Sequence, residues 1–175
     1  MAGLKFRVLL DSSDKNEIFR DILIGESDNF ETFYNAILNA YHFSGDQMAS
    51  FYMSNESWDK GHEISIFDMG MGEDPDQIMP SVMKTSLLGN YVKEEDQKII
   101  LVHDFIRMWI FLIELIEVVE ETPEHPKVVL SVGNAPAEAS KTGEEELLFE
   151  TESEHESEEE EDEFGFNDFE DSFDY

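Results

Sequence analysis

The chain has 175 residues, no cysteine and a formal net charge of −31 at pH 7. Disulfides, thiolate metal sites and a cysteine nucleophile are therefore excluded, and the negative charge disfavours direct binding to nucleic-acid backbones. No signal peptide is recognisable, and no apolar stretch reaches the roughly 20 residues that a membrane helix needs. We expect a soluble, cytoplasmic protein with no membrane partner and no direct nucleic-acid partner.

The predicted elements begin with two strands and the main helix. Apolar residues alternate along 4–10, which predicts a half-buried strand, and a second strand is expected at about 17–24. Asp28 is a good helix N-cap, and Glu31, three residues later, completes a capping box. Because apolar residues then recur at three- and four-residue steps, we expect one helix over about 28–42.

Shorter elements are predicted for the middle of the chain. Two short strands are expected at 49–54 and 62–68, followed by a loop rich in glycine, proline and acid at 69–80. A helical turn around 84–88 should be stopped by Gly89. These elements would extend the sheet that the first two strands begin.

The clearest sheet signal is a hairpin over about 98–119. Both of its arms are rich in β-branched and aromatic residues, and the chain bends between them at 106–107. Pro123 and Pro126 are expected to close the sheet region and to leave 125–139 extended or looped. The pattern as a whole predicts an α+β domain with a mixed or antiparallel sheet and one main helix.

The composition changes after residue 139. Between Glu138 and Tyr175 the chain carries 18 of its 42 acidic residues and a single lysine. Such a segment cannot bury enough apolar surface to offset the entropy of ordering it. We therefore predict two parts, an α+β domain over 1–139 and a disordered acidic tail over 140–175.

The acidic tail also contains aromatic residues in a regular pattern. Phe166, Phe169 and Phe173 are spaced i, i+3, i+7, so an induced helix would place the three rings on one stripe. Disordered peptides dock in apolar grooves in this way. The alternatives are a solubilising tail with incidental aromatics and an acidic mimic of a nucleic-acid backbone. The predicted partner-binding residues are Phe164, Phe166, Phe169, Phe173 and Tyr175, and the partner is an unknown protein.

No group of residues has the spacing of a catalytic or metal-binding motif. The five histidines are scattered, and His103 and Asp104 are adjacent on a predicted strand, where neighbours point to opposite faces. Glu73, Asp74 and Asp76 could bind a hard cation, but the remaining positions of a calcium-binding loop are missing. We expect no metal and no cofactor. The sequence favours a protein that is not an enzyme but does not decide the question.

The hairpin LVHDFIRMWIFLIELIEV (101–118) resembles the most recognisable stretch of the plasmid pRiA4b open-reading-frame-three-like family. The order and spacing of the other elements agree with that family over about 4–139, so the tail lies outside the resemblance. The resemblance implies an α+β fold and no established activity. The motif residues that match, which we expect to be mainly structural, are Asp104, Phe105, Trp109 and Glu114.

Several polar positions of that family's motif are changed in this chain. The glycine and aspartate of the hairpin are Ile106 and Arg107, and the histidine after the tryptophan is Phe111. A histidine pair is replaced by Gln47 and Ala49. The resemblance therefore implies a retained fold from which the candidate chemistry is missing.

Three hypotheses for function stay open. The first is a non-enzymatic protein-interaction module whose Phe-bearing tail docks on a partner or on its own domain. The second is a ligand-binding or enzymatic domain with a pocket between helix and sheet, lined by Trp58, His62, His103 and Asp104. The third is a mobile-element or nucleic-acid-associated factor that acts through a partner or as an acidic mimic.

Overall fold

The computed structural model describes residues 2–12, 15–45, 47–67 and 81–140. The predicted loop over 69–80, with its three candidate cation ligands, lies outside these residues. The same holds for the tail, and therefore for every aromatic residue predicted there to bind a partner. The fold and the sites below concern the described part of the chain.

The described residues form eight strands, two α-helices and two 3₁₀ turns. In chain order the elements are β1 (Gly3–Leu10), β2 (Phe19–Gly25), α1 (Phe30–Tyr41), β3 (Ala49–Met53), β4 (Glu63–Ser65), β5 (Ser81–Val82), a 3₁₀ turn (Met83–Thr85), α2 (Leu88–Tyr91), β6 (Lys98–His103), β7 (Trp109–Val119), β8 (Lys127–Val132) and a second 3₁₀ turn (Glu138–Ser140).

All eight strands belong to one sheet, with the order β5-β4-β3-β6-β7-β1-β2-β8. Only β4 and β5 run parallel to each other, so the sheet is mixed, and the predicted α+β class with one main helix is confirmed. The predicted hairpin is also confirmed, because β6 pairs antiparallel with β7. β1 is an interior strand, since it pairs antiparallel with both β2 and β7.

The core lies between α1 and one face of the sheet. Phe33 occupies its middle, with its ring centroid 4.6 Å from that of Phe6 and 5.6 Å from the parallel ring of Phe51. Alternate residues of the central strands point toward the helix, as their period of two predicts. The helix buries six apolar or aromatic side chains against them: Phe30, Phe33, Tyr34, Ile37, Leu38 and Tyr41.

The start of α1 differs from the prediction. Asn29, not Asp28, is the N-cap, because its side chain accepts the backbone N–H of Thr32 at 2.8 Å. Asn29 forms an isolated bridge with Leu87, and this tertiary contact holds its backbone in the extended conformation that a cap requires. The carboxylate of Asp28 accepts the backbone N–H of Gly25 instead.

Gly89 does not stop a helix, contrary to the prediction, but lies inside α2. Its N–H donates to the carbonyl oxygen of Glu26 at 2.8 Å. A Cβ at this position would lie 3.0 Å from that same oxygen, so the glycine permits a close approach of two backbones. The residue that reads as a helix breaker in the sequence is here a contact point between chain segments.

The sheet also continues past the two prolines that were predicted to close it. β8 begins directly after Pro126 and pairs antiparallel with β2, so the part of the predicted extended or looped segment over 127–132 is extended, and the prediction that the sheet ends at the prolines was wrong. Without β8 the outer backbone groups of β2 would lack strand partners, and pairing satisfies them. Pro126 does not interfere because it precedes the ladder and no N–H is needed there.

A buried arginine fixes β8 in place. Nη1 of Arg20 donates to the carbonyl oxygens of Phe19 and Val132, both at 2.9 Å, and Nε donates to Ala40 at 3.4 Å. The guanidinium also lies 4.9 Å from the ring centroid of Tyr41. α1 has no basic residue in its last turn, and Arg20 places a cation at that negative end of the helix dipole.

Within the described ranges, no helix is long and apolar enough to cross a membrane.

We predict that Phe33→Ala lowers the free energy of unfolding by about 3–5 kcal/mol, because it removes a fully buried ring from the centre of the core. Urea denaturation followed by circular dichroism would measure this change. Asn35→Ala, on the exposed side of the same helix, is the control and should alter stability by less than about 0.5 kcal/mol. Equal effects of the two substitutions would contradict the proposed position of the core.

Candidate functional site

Asp104, the one polar residue of the family motif in the hairpin turn, caps that turn. Its Oδ1 accepts the backbone N–H groups of Ile106 at 3.1 Å and Arg107 at 3.2 Å. Its own N–H donates to the carbonyl oxygen of Met48 at 2.7 Å, and its φ is +67°. Aspartate tolerates this left-handed conformation better than most residues because its short carboxylate bonds the nearby backbone.

The other three motif residues lie in three different environments. Phe105 is exposed in the turn, whereas Trp109 is buried with its ring centroid 4.8 Å from that of Phe43. Glu114 points to the opposite face of β7, where its carboxylate lies 3.8 Å from Nζ of Lys98. The four motif residues therefore do not form one site.

The four polar residues predicted to line a common pocket are dispersed. His103 pairs with Ala49 at one end of β3, and the carbonyl oxygen of His62 accepts the N–H of Met53 at the other end. Ala49 and Met53 are four residue steps apart along the strand, a distance of about 13 Å. Trp58 belongs to the turn beyond β3, with Lys98 over its ring. The prediction of one pocket lined by these four residues was wrong.

His103 instead belongs to a buried hydrogen-bonded group. Its Nδ1 lies 2.9 Å from the hydroxyl of Tyr34, and its Nε2 lies 2.9 Å from Oε2 of Glu138. The other carboxylate oxygen of Glu138 accepts the backbone N–H of Ser44 at 2.7 Å. This group joins α1, β6 and the last described turn, and it leaves neither ring nitrogen of the buried histidine unsatisfied.

The electrostatics of this group favour an ionised Glu138. Burial by itself raises the pKa of this carboxyl, but the hydrogen bond from Ser44 and the hydrogen bond and charge of His103 together outweigh burial and lower it. The histidine is fully buried and cannot reach a substrate. The group therefore anchors the segment after β8 to α1 and β6.

A groove of about 390 Å³ lies between α1 and β8. The helix contributes small and amide side chains, and the sheet contributes mainly apolar ones. Its lining residues are Ile22, Thr32, Asn35, Ala36, Asn39, Ala40, Pro126, Lys127 and Val128. A groove between helix and sheet was predicted, but none of the four residues expected to line it does so.

β8 forms one edge of the sheet, and all six of its residues are exposed. Four of them are apolar, with exposed fractions of 43% for Val128, 46% for Val129, 43% for Leu130 and 36% for Val132. Single exposed apolar residues are ordinary, but a run of them on a sheet edge is typical of an interaction surface. We call β8 together with the groove beside it the edge surface.

The edge surface differs in charge from the rest of this acidic chain. The six residues of β8 include Lys127 and no acidic residue, although the chain as a whole carries a net charge of −31. The buried cation of Arg20 lies directly behind the end of this strand. The edge surface therefore presents a mainly apolar strand with one exposed lysine at its start.

Comparison with known proteins identifies relatives of unknown function. The family model described as "Plasmid pRiA4b ORF-3-like protein" matches residues 2–175, a longer stretch than the 4–139 over which the sequence motifs agree. The protein of unknown function MM3350 from Methanosarcina mazei Go1 has a similar crystal structure, with a TM-score of 0.63 and 18% identity. The match covers 85% of this chain and 80% of that one. No curated protein matches.

We predict that Glu138→Gln destabilises the fold by about 1 kcal/mol at pH 7, because a neutral amide replaces the carboxylate beside His103. A carboxyl whose pKa is lowered by folding stabilises above its usual value of 4.5, and this stability is lost as the pH falls through the lower, folded value. Urea midpoints of both proteins between pH 7 and pH 3 should therefore converge in acid. A difference that is constant over this range would contradict the anchor.

We predict that Asp104→Ala costs about 2 kcal/mol of unfolding free energy, because the turn loses two hydrogen bonds while the backbone keeps its positive φ. Asp104→Asn is the matched control, since it retains the Oδ1 acceptor and asparagine also tolerates this conformation. Chemical denaturation would compare the two. If asparagine and alanine were equally destabilising, the carboxylate charge and not the turn cap would be the important feature.

Proposed function

This chain belongs to the plasmid pRiA4b ORF-3-like family, a match that assigns no activity, and we propose that it is a protein-interaction module whose edge surface binds an extended segment of a protein partner. The single observation that carries the proposal is β8, an edge strand with four exposed apolar side chains. The predicted cytoplasmic location and the identity of the partner stay predictions.

Strand addition accounts for both the edge position of β8 and its exposed apolar side chains. An added strand would pair with the outer backbone groups of β8, to which no other strand of the described residues is hydrogen-bonded. Its alternate side chains would cover the exposed valines and leucine, and each 100 Å² of apolar surface removed from water contributes about 2.5 kcal/mol. The groove beside β8 would accept one larger side chain of the same segment.

The acidic tail is the second part of the proposal. Its support is the sequence alone, in which Phe166, Phe169 and Phe173 would share one face of an induced helix. Tail and edge surface differ in charge and in the kind of contact they offer. They would therefore bind different segments of a partner, or different partners, and each can be tested separately.

A photo-crosslinking amino acid at Val129 tests the edge surface, with the same substitution at exposed Lys84, on another part of the surface, as the control. Both proteins would be crosslinked in extract from the native cell. We expect one defined adduct at position 129 that is absent at position 84, and at least tenfold less of a co-purifying partner with Leu130→Glu.

The tail is tested in the same extract with Phe166, Phe169 and Phe173 replaced together by alanine. The triple variant keeps every acidic residue, so loss of a partner would be due to the rings and not to the charge. Unchanged partners for the triple variant would contradict the role of the tail. Unchanged partners and crosslinks for the β8 variants would contradict the role of the edge surface.

A further inference from the structure

A second histidine lies in a hydrogen-bonded group at the other edge of the sheet. Nε2 of His62 is 2.8 Å from Oγ of Ser81, and the same Oγ is 2.9 Å from the hydroxyl of Tyr91. The three side chains come from the residue before β4, from β5 and from the end of α2. Unlike His103, all three are partly exposed and can be reached from solvent.

Contacts with neighbouring residues position Tyr91 and Ser81 beside His62. The ring of Tyr91 lies parallel to that of His62, with an interplanar angle of 4° and centroids 6.0 Å apart, and it meets the buried ring of Phe30 edge-on. The side chain of Gln97 donates to the carbonyl oxygen of Tyr91 at 2.6 Å. Parallel pairing of β5 with Ile64 of β4 fixes the backbone of Ser81. The hydroxyl of Ser81 therefore stays beside the imidazole.

The distances from Ser81 to His62 and Tyr91 allow one arrangement of protons that would activate the serine. Tyr91 and Ser81 have one hydroxyl proton each, and a neutral imidazole has one nitrogen that can only accept. If Tyr91 donates to Oγ of Ser81, the proton of Ser81 is directed at Nε2 of His62. This is the arrangement of a nucleophile and its general base, which requires side chains within hydrogen-bond reach.

We infer that Ser81 is a nucleophile activated by His62, with activated carboxylic esters as the substrate class. Oγ of Ser81 would bond to the carbonyl carbon as its proton passes to Nε2 of His62. The bond from carbon to the leaving alkoxide would then break, and His62 would return that proton to the leaving oxygen. Water activated by the same base would hydrolyse the ester on Ser81 and regenerate the hydroxyl.

The inference does not depend on the edge surface, which lies at the opposite edge of the sheet. Among the described residues no carboxylate is hydrogen-bonded to His62, so these residues supply a serine–histidine pair. Neither the family match nor the related structure of unknown function assigns chemistry to these positions.

The absence of cysteine from the chain allows a direct test of the nucleophile. Ser81→Cys replaces one oxygen by sulfur and creates a single thiol, and Ser57→Cys places the control thiol on an exposed turn. Because His62 would favour the thiolate, we expect iodoacetamide to alkylate position 81 at least tenfold faster than position 57 at pH 7. Adding His62→Gln should abolish this difference.

The unsubstituted protein is tested with a fluorophosphonate, which bonds phosphorus to an activated serine and releases fluoride. We expect one adduct, located on Ser81 by peptide mass spectrometry, absent from Ser81→Ala and formed about 100-fold more slowly in His62→Gln. Circular dichroism would verify that the variants are folded. Equal labelling of Ser81→Ala, or alkylation of position 81 no faster than position 57, would overturn the inference.

Discussion

The packing of one aromatic helix against one face of the sheet is the interaction on which the rest of this fold depends. Phe33 and its neighbours on α1 bury the apolar side chains of the central strands, and the register of those strands follows from having a single apolar face to bury. One helix cannot cover eight strands. The strands at the two ends of the sheet are therefore left with accessible side chains, and both candidate sites lie there.

Much of the fold could be predicted because its strongest signals are local. Alternation identified β1 and β7, helical periodicity identified α1, and the β-rich arms identified the hairpin. Three details were wrong for one reason, which is that a tertiary contact decided them. Asn29, the helix cap, forms a bridge with Leu87, and the N–H of Gly89, inside α2, donates to the carbonyl oxygen of Glu26. Residues 127–132 form a strand that pairs with β2.

The candidate sites could not be predicted from spacing. His103 meets Tyr34 and Glu138 across 69 and 35 positions, and His62 meets Ser81 across 19. No short motif spans such distances, and only the tertiary packing of helices, strands and turns brings the groups together. Asp104 was expected beside His103 on a strand, but β6 ends at His103, and the carboxylate of Asp104 accepts backbone N–H groups of the turn that follows.

Arg20 gives the segment after the hairpin a second attachment of a different kind. It holds β8 through carbonyl oxygens and an aromatic face, none of which gains a proton in acid, whereas Glu138 holds the following turn through a carboxylate. The attachment through Glu138 is therefore sensitive to acid, whereas the attachment through Arg20 is not. Acidification would loosen the turn over Glu138–Ser140 while β8 remained attached through Arg20, so the strand and the turn that follows it can detach from the core independently.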